Sequence, residues 1–453
     1  MQNEFIERFR TALRIKTDWP GEAQTTETEA NLKRFQDFLV DSFPAFNKSA
    51  ERTVLSPYSV IYRWPGTAGG NGKTNPADKA PVLFIGHYDV VPAETAKWSV
   101  DPFGAELKDG YVYARGVLDM KHIVVSIMEG AEDLCKQGFK PGRDVWFAFG
   151  GDEELTGLKG AKEAANWFLR KGIKFSFIMD EGTPVVKDQL KGIDVPLALV
   201  GIEEKGYLSL DLTVNQKPGH ASQPPEEQAV AILSRALLRI SQRPFPWHLT
   251  SAVEAFFGQL SLHAPGVLGF AMKHSRLLGP LFFKAAAVSP STRAMLRTTV
   301  AMTQLEGSAA DNVMPSAARA VINLRLLPPW TVETAIERIK TVIADSRVGV
   351  AVNGLGTNPV EAGPEQAAQK SPGWKEINAA LGKAFPGIPV LPFLMVATTD
   401  SRHYLEQSRN IFRFNPLLLD PDELSLVHGH DERVSVENME KCLSFYTALI
   451  EQL

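Results

Sequence analysis

From about residue 80 to residue 210, short apolar runs that stop at turn residues alternate with longer amphipathic stretches. The runs PVLFIG, DVWFAFG, FSFIMD and PLALVGI read as strands, each broken off by Gly, Asp or a charged residue. Between them, KHIVVSIMEGAEDLCKQG and LKGAKEAANWFLRKG place apolar residues at three- and four-residue steps, as helices covering a sheet do. Strand and helix in alternation predict a doubly wound α/β domain. A further helix is expected at the N-terminus, where MQNEFIERFRTALRIKTDWP mixes charges with apolar residues at helical spacing.

After Gly206 the period shortens. YLSLDLTVNQ alternates apolar and polar positions, as a strand with one wet face does, and the helix pattern EEQAVAILSRALLRISQ follows it. Later, AARAVINLRLLPP and VGVAVNG read as strands around the helix ETAIERIKTVIADS. These units predict a small α+β layer inserted into the first domain, which resumes with GWKEINAALGKAF, the strands PVLPFLM and NIFRFN, and the final helix VENMEKCLSFYTALIEQL. The expected division is a catalytic domain from 1–206 and 357–453 with an inserted domain at 207–356. Residues 243–300 fit neither pattern. Their apolar pieces, broken by Pro and Gly and carrying Phe256, Phe257, Phe270, Phe282 and Phe283, read as a helical elaboration of the inserted domain, or as a wall for an apolar substrate tail. GTAGGNGKTNPADK at 66–79 reads as a polar loop.

Length and charge narrow the picture. A chain of 453 residues exceeds one ordinary core, and 48 Lys plus Arg against 52 Asp plus Glu leave no basic excess for a nucleic acid. The two cysteines, Cys135 and Cys442, make neither a disulfide framework nor a thiolate cage and read as buried thiols in a reducing compartment. The N-terminus lacks the unbroken apolar stretch of a signal peptide, and no later segment offers about 18 uncharged apolar residues for a membrane span. A cytoplasmic enzyme is the expectation.

Candidate chemistry sits where the predicted strands end. PVLFIG delivers His87 and Asp89 on one face, so that a carboxylate can hold the second ring nitrogen of a metal-binding histidine. Asp119, in GYVYARGVLDMKH, precedes a helix and suits either an N-cap or a ligand. In DVWFAFGGDEELTG the acids Asp152, Glu153 and Glu154 repel one another unless a cation gathers them; an acidic first helical turn is the alternative. FSFIMDEG adds Asp180, and LSLVHGHDERVS adds His428 and His430. Singly each has an ordinary structural explanation. Together they place acids and histidines at the carboxyl ends of strands, where open α/β sheets bind ligands.

HYDVVP, GVLDMK, GGDEELTG, MDEG, PGHAS and HGHDE resemble, in order and spacing, the motifs of the M20 family of metallopeptidases, and TTDSRHY, HGHDERVS and the segment 243–300 are most similar to its carboxypeptidase S and N-acyl-amino-acid hydrolase branch. The resemblance implies a zinc-peptidase-like catalytic domain with a central mixed sheet and an inserted, ferredoxin-like α+β domain acting as lid and dimerisation surface. It implies two zinc ions, at a site that Co2+ or Mn2+ would also suit, bridged by Asp119, with His87 and Asp180 completing one site and Glu154 and His428 the other. Glu153 would be the general base, Asp89 would orient His87, and a cis peptide would follow Asp119. His220 would reach an active site across a domain or subunit contact to stabilise the oxyanion, and Asn312 would help bind substrate. His428 fits the family pattern His-x-x-Asn/Asp-Glu, with His430 a competing register. Arg402 is the candidate grip for a substrate carboxylate, a surface ion pair being its alternative.

The reaction so implied is hydrolysis of a peptide or N-acyl amide beside a free carboxylate. A non-catalytic metal-binding or regulatory protein of the same fold is the second reading; a serine hydrolase is disfavoured because no Gly-x-Ser-x-Gly elbow lies between a strand and a helix.

Overall fold

The computed structural model describes residues 2–19, 26–67, 80–187, 193–286 and 288–453. The predicted polar loop at 66–79 lies, from 68 onward, outside the described residues.

The apolar runs assemble into one eight-stranded mixed sheet in the order Glu51–Ser56, Ser59–Trp64, Val145–Gly150, Val82–His87, Phe177–Val186, Ile411–Leu419, Leu197–Glu204, Val390–Met395. Its centre is parallel: Val82–His87 pairs in parallel with Val145–Gly150 and with Phe177–Val186, which pairs in parallel with Ile411–Leu419. The central strands are buried on both faces, so they read as continuous apolar runs without alternation. One face packs on the helices Gln2–Arg14, Thr26–Ser42, Lys121–Lys136, Trp374–Ala384 and Val436–Ile450, around a core holding Phe9, Phe35, Phe84, Phe147 and Phe445. The opposite face packs on Ala161–Arg170 around Trp146, Phe168 and Tyr404.

A second sheet, antiparallel and four-stranded, runs Thr299–Glu306, Ala317–Leu326, Gly206–Asn215, Gly349–Val352. The helices Ala229–Gln242 and Val332–Ile343 close a core of its own over Leu208, Leu210, Leu212, Ile322 and Leu324. Thr299–Glu306 is a strand that patterning did not reveal. It is an edge strand exposed along most of its length, so burial imposes no apolar alternation on it.

The segment 243–300 is helical, but it does not elaborate the smaller sheet. Val253, Phe256, Phe257, Leu260, Phe282 and Leu296 form a core with Leu197, Leu199, Leu391 and Leu394, the edge strands of the large sheet. Leu197 and Leu199 alternate with Ala198 and Val200 of the other core, so these helices cover one face of the last two strands of the sheet. Cys442 is buried, whereas Cys135 is only half-buried. Among the described residues no helix is long and apolar enough to cross a membrane.

The two sheets are joined where Gly206 approaches the returning chain. A Cβ on Gly206 would lie 2.4 Å from the carbonyl oxygen of Thr357, closer than any side chain tolerates. Gly206→Ala is therefore expected to lower stability by about 1–3 kcal/mol, as overpacking does. Denaturant unfolding measures it, and an unchanged midpoint would contradict the contact.

Candidate active site

Parallel neighbours end side by side. His87 is the last residue of its strand and lies in register with Gly150, so the turn carrying Asp152, Glu153 and Glu154 begins beside it. On the other flank, Phe177–Val186 brings in Asp180 and Glu181. Asp119 comes from the loop before Lys121–Lys136. It is not the helix cap: Met120 holds that position, and no side chain caps the helix. Its two oxygens are shared between histidines, Oδ1 at 2.9 Å from His87 Nε2 and Oδ2 at 3.0 Å from His428 Nε2. His428 also lies 3.3 Å from Glu154 Oε1, a buried oxygen without a hydrogen bond of good geometry. His430 is exposed and takes no part. The peptide bond after Asp119 is cis.

Ligand atoms of His87, Asp119 and Glu154 lie within 4.8 Å of one another, and so do those of His87, Glu153 and Glu181. Imidazole nitrogens and carboxylate oxygens converging on one cavity are a donor set that suits a divalent transition ion. Asp180 is not in this cluster. Its Oδ1 accepts from Glu181 N at 2.8 Å and its Oδ2 from Ser401 N at 3.1 Å, which turns the carboxylate into the backbone. Glu181, the next residue, points the other way, to 3.5 Å from His87 Nε2. Two adjacent acids thus project to opposite sides of a strand.

Supporting contacts fix the cluster. Asp89, fully buried, places its backbone carbonyl 3.1 Å and its carboxylate 3.4 Å from His87 Nδ1, and the carboxylate accepts from Glu153 N at 3.2 Å, Glu154 N at 3.1 Å and Trp19 Nε1 at 3.3 Å. One residue thus orients the histidine, mainly through its carbonyl, and pins with its carboxylate the turn that bears two acids. Asp152 accepts from Lys159 N and Gly160 N, both at 2.8 Å, and shapes the same turn without facing the cavity. Glu432 accepts from Leu118 N at 2.8 Å and from Arg115 at 2.5 Å, while Arg115 donates to the carbonyls of His428 and Gly429. This pair ties the Asp119 loop to the His428 loop and holds His428 at a left-handed φ of 60°.

The acids repel one another strongly. Burial raises Glu153 well above the carboxylate range, with His87 opposing and Asp400, Glu181 and Glu154 reinforcing the shift. Burial and Asp119 push Glu181 to about 8. The hydrogen bond that His428 donates to Asp119, with Glu154 close by, raises His428 to about 10. Burial would raise Asp119, yet both histidines hold it below the usual range.

The cavity, about 1270 Å³, is lined from both sheets. The large sheet contributes Asp119, Glu153, Glu154, Glu181 and His428, and the small sheet contributes Tyr207, Ser209, Asn323 and Arg325. Arg402 is in the wall, but it donates to Thr399 O at 2.8 Å and Thr156 O at 2.9 Å, so two of its nitrogens serve the protein. Arg325 lies over the Tyr207 ring at 4.9 Å and forms no hydrogen bond or ion pair among the described residues. The sequence signal for it was present: in INLRLL the arginine alternates with apolar residues on the wet face of its strand. His220 and Asn312 do not line the cavity. His220 is exposed on a short ribbon with Val313, its Nδ1 accepting from Ser222 N at 3.1 Å, and Asn312 is exposed beside it. The strand leading there starts at the cavity with Tyr207 and runs away from it for roughly 25 Å.

A model of the peptidase family M20/M25/M40 matches residues 83–452. The chain belongs to this family. It is 34% identical to an N-fatty-acyl-amino acid synthase/hydrolase of Xenopus tropicalis, over 99% of this chain and 86% of that one. It is 33% identical to probable carboxypeptidase S-like 2 of Dictyostelium discoideum, over 99% and 85%. Among solved structures, an M20 family metallo-carboxypeptidase of Sulfolobus solfataricus shares the fold at a TM-score of 0.70, with 15% identity over 99% and 98% of the two chains. A Bacillus subtilis M20 peptidase described as dinuclear metal-binding shares it at 0.56, with 13% identity over 99% and 98%. This M20 member is a metallopeptidase or amidohydrolase, as its motifs led one to expect, and the donor cluster is its candidate metal site.

The cluster makes a definite demand on the metal-free chain. Glu181 titrates in the folded state at about 8, above its unfolded value of about 4.3, so its burial costs stability as pH rises between the two. His428 titrates at about 10, above an unfolded value of about 6.5, so the stability it adds is complete below that value and lost as pH rises through its folded pKa. Both slopes have one sign. Thermal unfolding in a chelator should show the midpoint falling from about pH 5 to pH 10, and a flat or rising midpoint would refute the assignment.

Proposed function

We propose that this M20 enzyme hydrolyses the amide bond of an N-acyl amino acid or small peptide that carries a free carboxylate, using two divalent ions, zinc in the first instance. The observation that carries the reading is that His87, Asp119, Glu154, Glu181 and His428 meet at one cavity, lined by all of them but the buried His87, with Glu153 half-buried among them. Asp119 would bridge the ions, with His87 and Glu181 on one and Glu154 and His428 on the other. Glu181 takes the place that the family resemblance gave to Asp180, because the Asp180 oxygens are spent on backbone N–H groups. The orphaned Glu154 oxygen supports a cation between it and His428. Two ions held there would supply the positive charge that polarises a scissile carbonyl and acidifies a water.

The chain's own groups do the rest. Glu153, beside a ligand yet without a fixed partner, takes the proton of the attacking water and delivers it to the leaving nitrogen; its raised pKa suits an acid-base role. Arg325 binds the substrate carboxylate from the small sheet, where Arg402 serves better as a brace for the loop after Val390–Met395. Leu155, Leu158 and Leu355, part-exposed at the cavity wall, offer an apolar track for the acyl side. The names of the relatives, an N-fatty-acyl-amino acid hydrolase and a carboxypeptidase-like protein, support the same bond and the same free carboxylate. The aromatic residues of 243–300 contribute less to this track, since Phe256, Phe257 and Phe282 are spent on the sheet edge. The domain division at 207 and 356 follows the chain crossing between the sheets. His220 and Asn312, carried far from the metals in their own chain, would serve the site of a second copy paired through the small sheet.

Glu153→Gln should abolish turnover, by a factor of about a thousand or more, with metal content by elemental analysis unchanged. Full activity in that variant would sink the mechanism and favour a non-catalytic role for the site. Glu181→Ala should remove one ion where Asp180→Asn keeps both. Arg325→Ala should raise KM for an N-acyl amino acid by about a hundredfold and leave the corresponding amino-acid amide nearly untouched; equal losses on both would displace Arg325 from carboxylate binding.

A further inference from the structure

The helices Gly266–Lys273 and Ser275–Ala286 are fixed to the large sheet by one side, through Phe282 and the neighbouring Phe257. Their other side is open. Val267 is 84% exposed, Phe270 59%, Leu277 82% and Leu281 73%, with Leu262 at 73% before them and Val288 at 82% after. Side chains of this size are rarely left together in water without a purpose. The second helix breaks at Gly279, where φ is 42°, followed by Pro280, so Leu277 and Leu281 flank a corner instead of lying along a straight rod.

The charge along this segment is one-sided. From residue 255 to residue 305 the chain has no Asp or Glu and five Lys or Arg, whereas the whole protein is net −4. Lys273 and Lys284 are exposed on the helices themselves. Arg276 is 75% exposed and reaches Glu254 at 3.2 Å; Arg297 stacks inward on Trp247.

We propose that this face docks the protein on an anionic glycerophospholipid bilayer. Aliphatic and aromatic tips flanked by Lys and Arg are the composition of helices that settle into a headgroup layer, where apolar side chains enter the acyl boundary and cations meet lipid phosphate. A second copy of the chain is a poorer occupant, because a symmetric contact would set like-charged faces against each other. This proposal does not depend on the substrate assigned above.

The test is co-sedimentation of the metal-loaded full chain with vesicles of phosphatidylcholine alone, or with roughly one-third phosphatidylglycerol. Binding is expected to the anionic vesicles only and to weaken with salt. Leu277→Glu with Leu281→Glu should reduce it by about tenfold or more, and Lys273→Glu with Arg276→Glu by about fivefold or more. The second pair changes only exposed charges, so it decides the matter if the first pair fails to fold. No binding to either vesicle, equal binding to both, or binding that neither pair reduces overturns the proposal. So does a dimer, seen by analytical ultracentrifugation, that the leucine pair abolishes while vesicles remain unbound.

Discussion

Like charges forced together are the constraint around which this molecule is built. Asp119, Glu153, Glu154 and Glu181 gather at the ends of neighbouring strands, and two unit charges about 4 Å apart repel by about 4 kcal/mol even at the effective dielectric of a protein surface. Two histidines cannot neutralise four acids, so protons stay on Glu153 and Glu181 at pH values where exposed acids have lost them. Divalent cations relieve the same repulsion without protonating the site. A half-buried acidic cluster that is costly to the empty fold would thereby be favourable in a metal-loaded one, part of the metal's binding energy being relief of this strain.

Such a cluster must be prevented from relaxing by spreading apart. Asp89 prevents it on one side, because its carboxylate faces both the ring of His87 and the backbone beneath Glu153 and Glu154. Arg115 and Glu432 prevent it on the other, binding the Asp119 loop to the His428 loop across more than three hundred residues of chain. Both supports are buried ion or hydrogen-bond systems, and their worth lies in position more than in stability: removing one partner leaves a charge stranded in the interior. The left-handed backbone at His428 belongs to the same economy, since a non-glycine residue adopts it only when its surroundings require it.

Much of this was legible in the sequence, and the failures share a cause. Buried central strands announce themselves as apolar runs, and polar groups at their ends stand out because nothing else polar is near; His87 and Glu154 were accessible as candidates for that reason, whereas Asp119 and His428, on loops, were accessible through the motifs around them. That Glu181 and not Asp180 reaches His87 turns on which face of a strand each side chain takes at an irregular point in the ladder, where the register between Arg413 and Phe414 shifts. No pattern of types encodes that. Arg402 and Arg325 are equally basic in the sequence; only the carbonyls of Thr156 and Thr399, distant from each other in the chain, distinguish the occupied arginine from the open one. The segment 243–300 read correctly as apolar and interrupted, yet what it covers, a sheet edge made of Leu197–Glu204 and Val390–Met395, is a tertiary fact.

The position of the cavity between the sheets follows from how the chain crosses from one to the other. Glu204 exchanges backbone hydrogen bonds with Val360, at 2.9 Å in both directions, and Tyr207 exchanges them with Thr357, at 3.0 and 2.8 Å, so the outgoing and returning segments form a ladder and not a loose tether. Three consecutive charged residues sit buried at this crossing, and each is engaged: Glu203 with Thr250, Glu204 with Arg413, Lys205 with the carbonyls of Ala294 and Arg297. Burial drives the Lys205 pKa down to about 7, the cost of keeping an ammonium there to hold helix carbonyls. Tyr207 follows within two residues, and Arg325 is its partner across the strand. The groups proposed to recognise a substrate are thus carried on the small sheet beside the crossing, while those proposed to react stand on the large one. A substrate bridging them would have to fit a distance set by this ladder, which would make the crossing, as much as any residue in the cavity, a determinant of what the enzyme accepts.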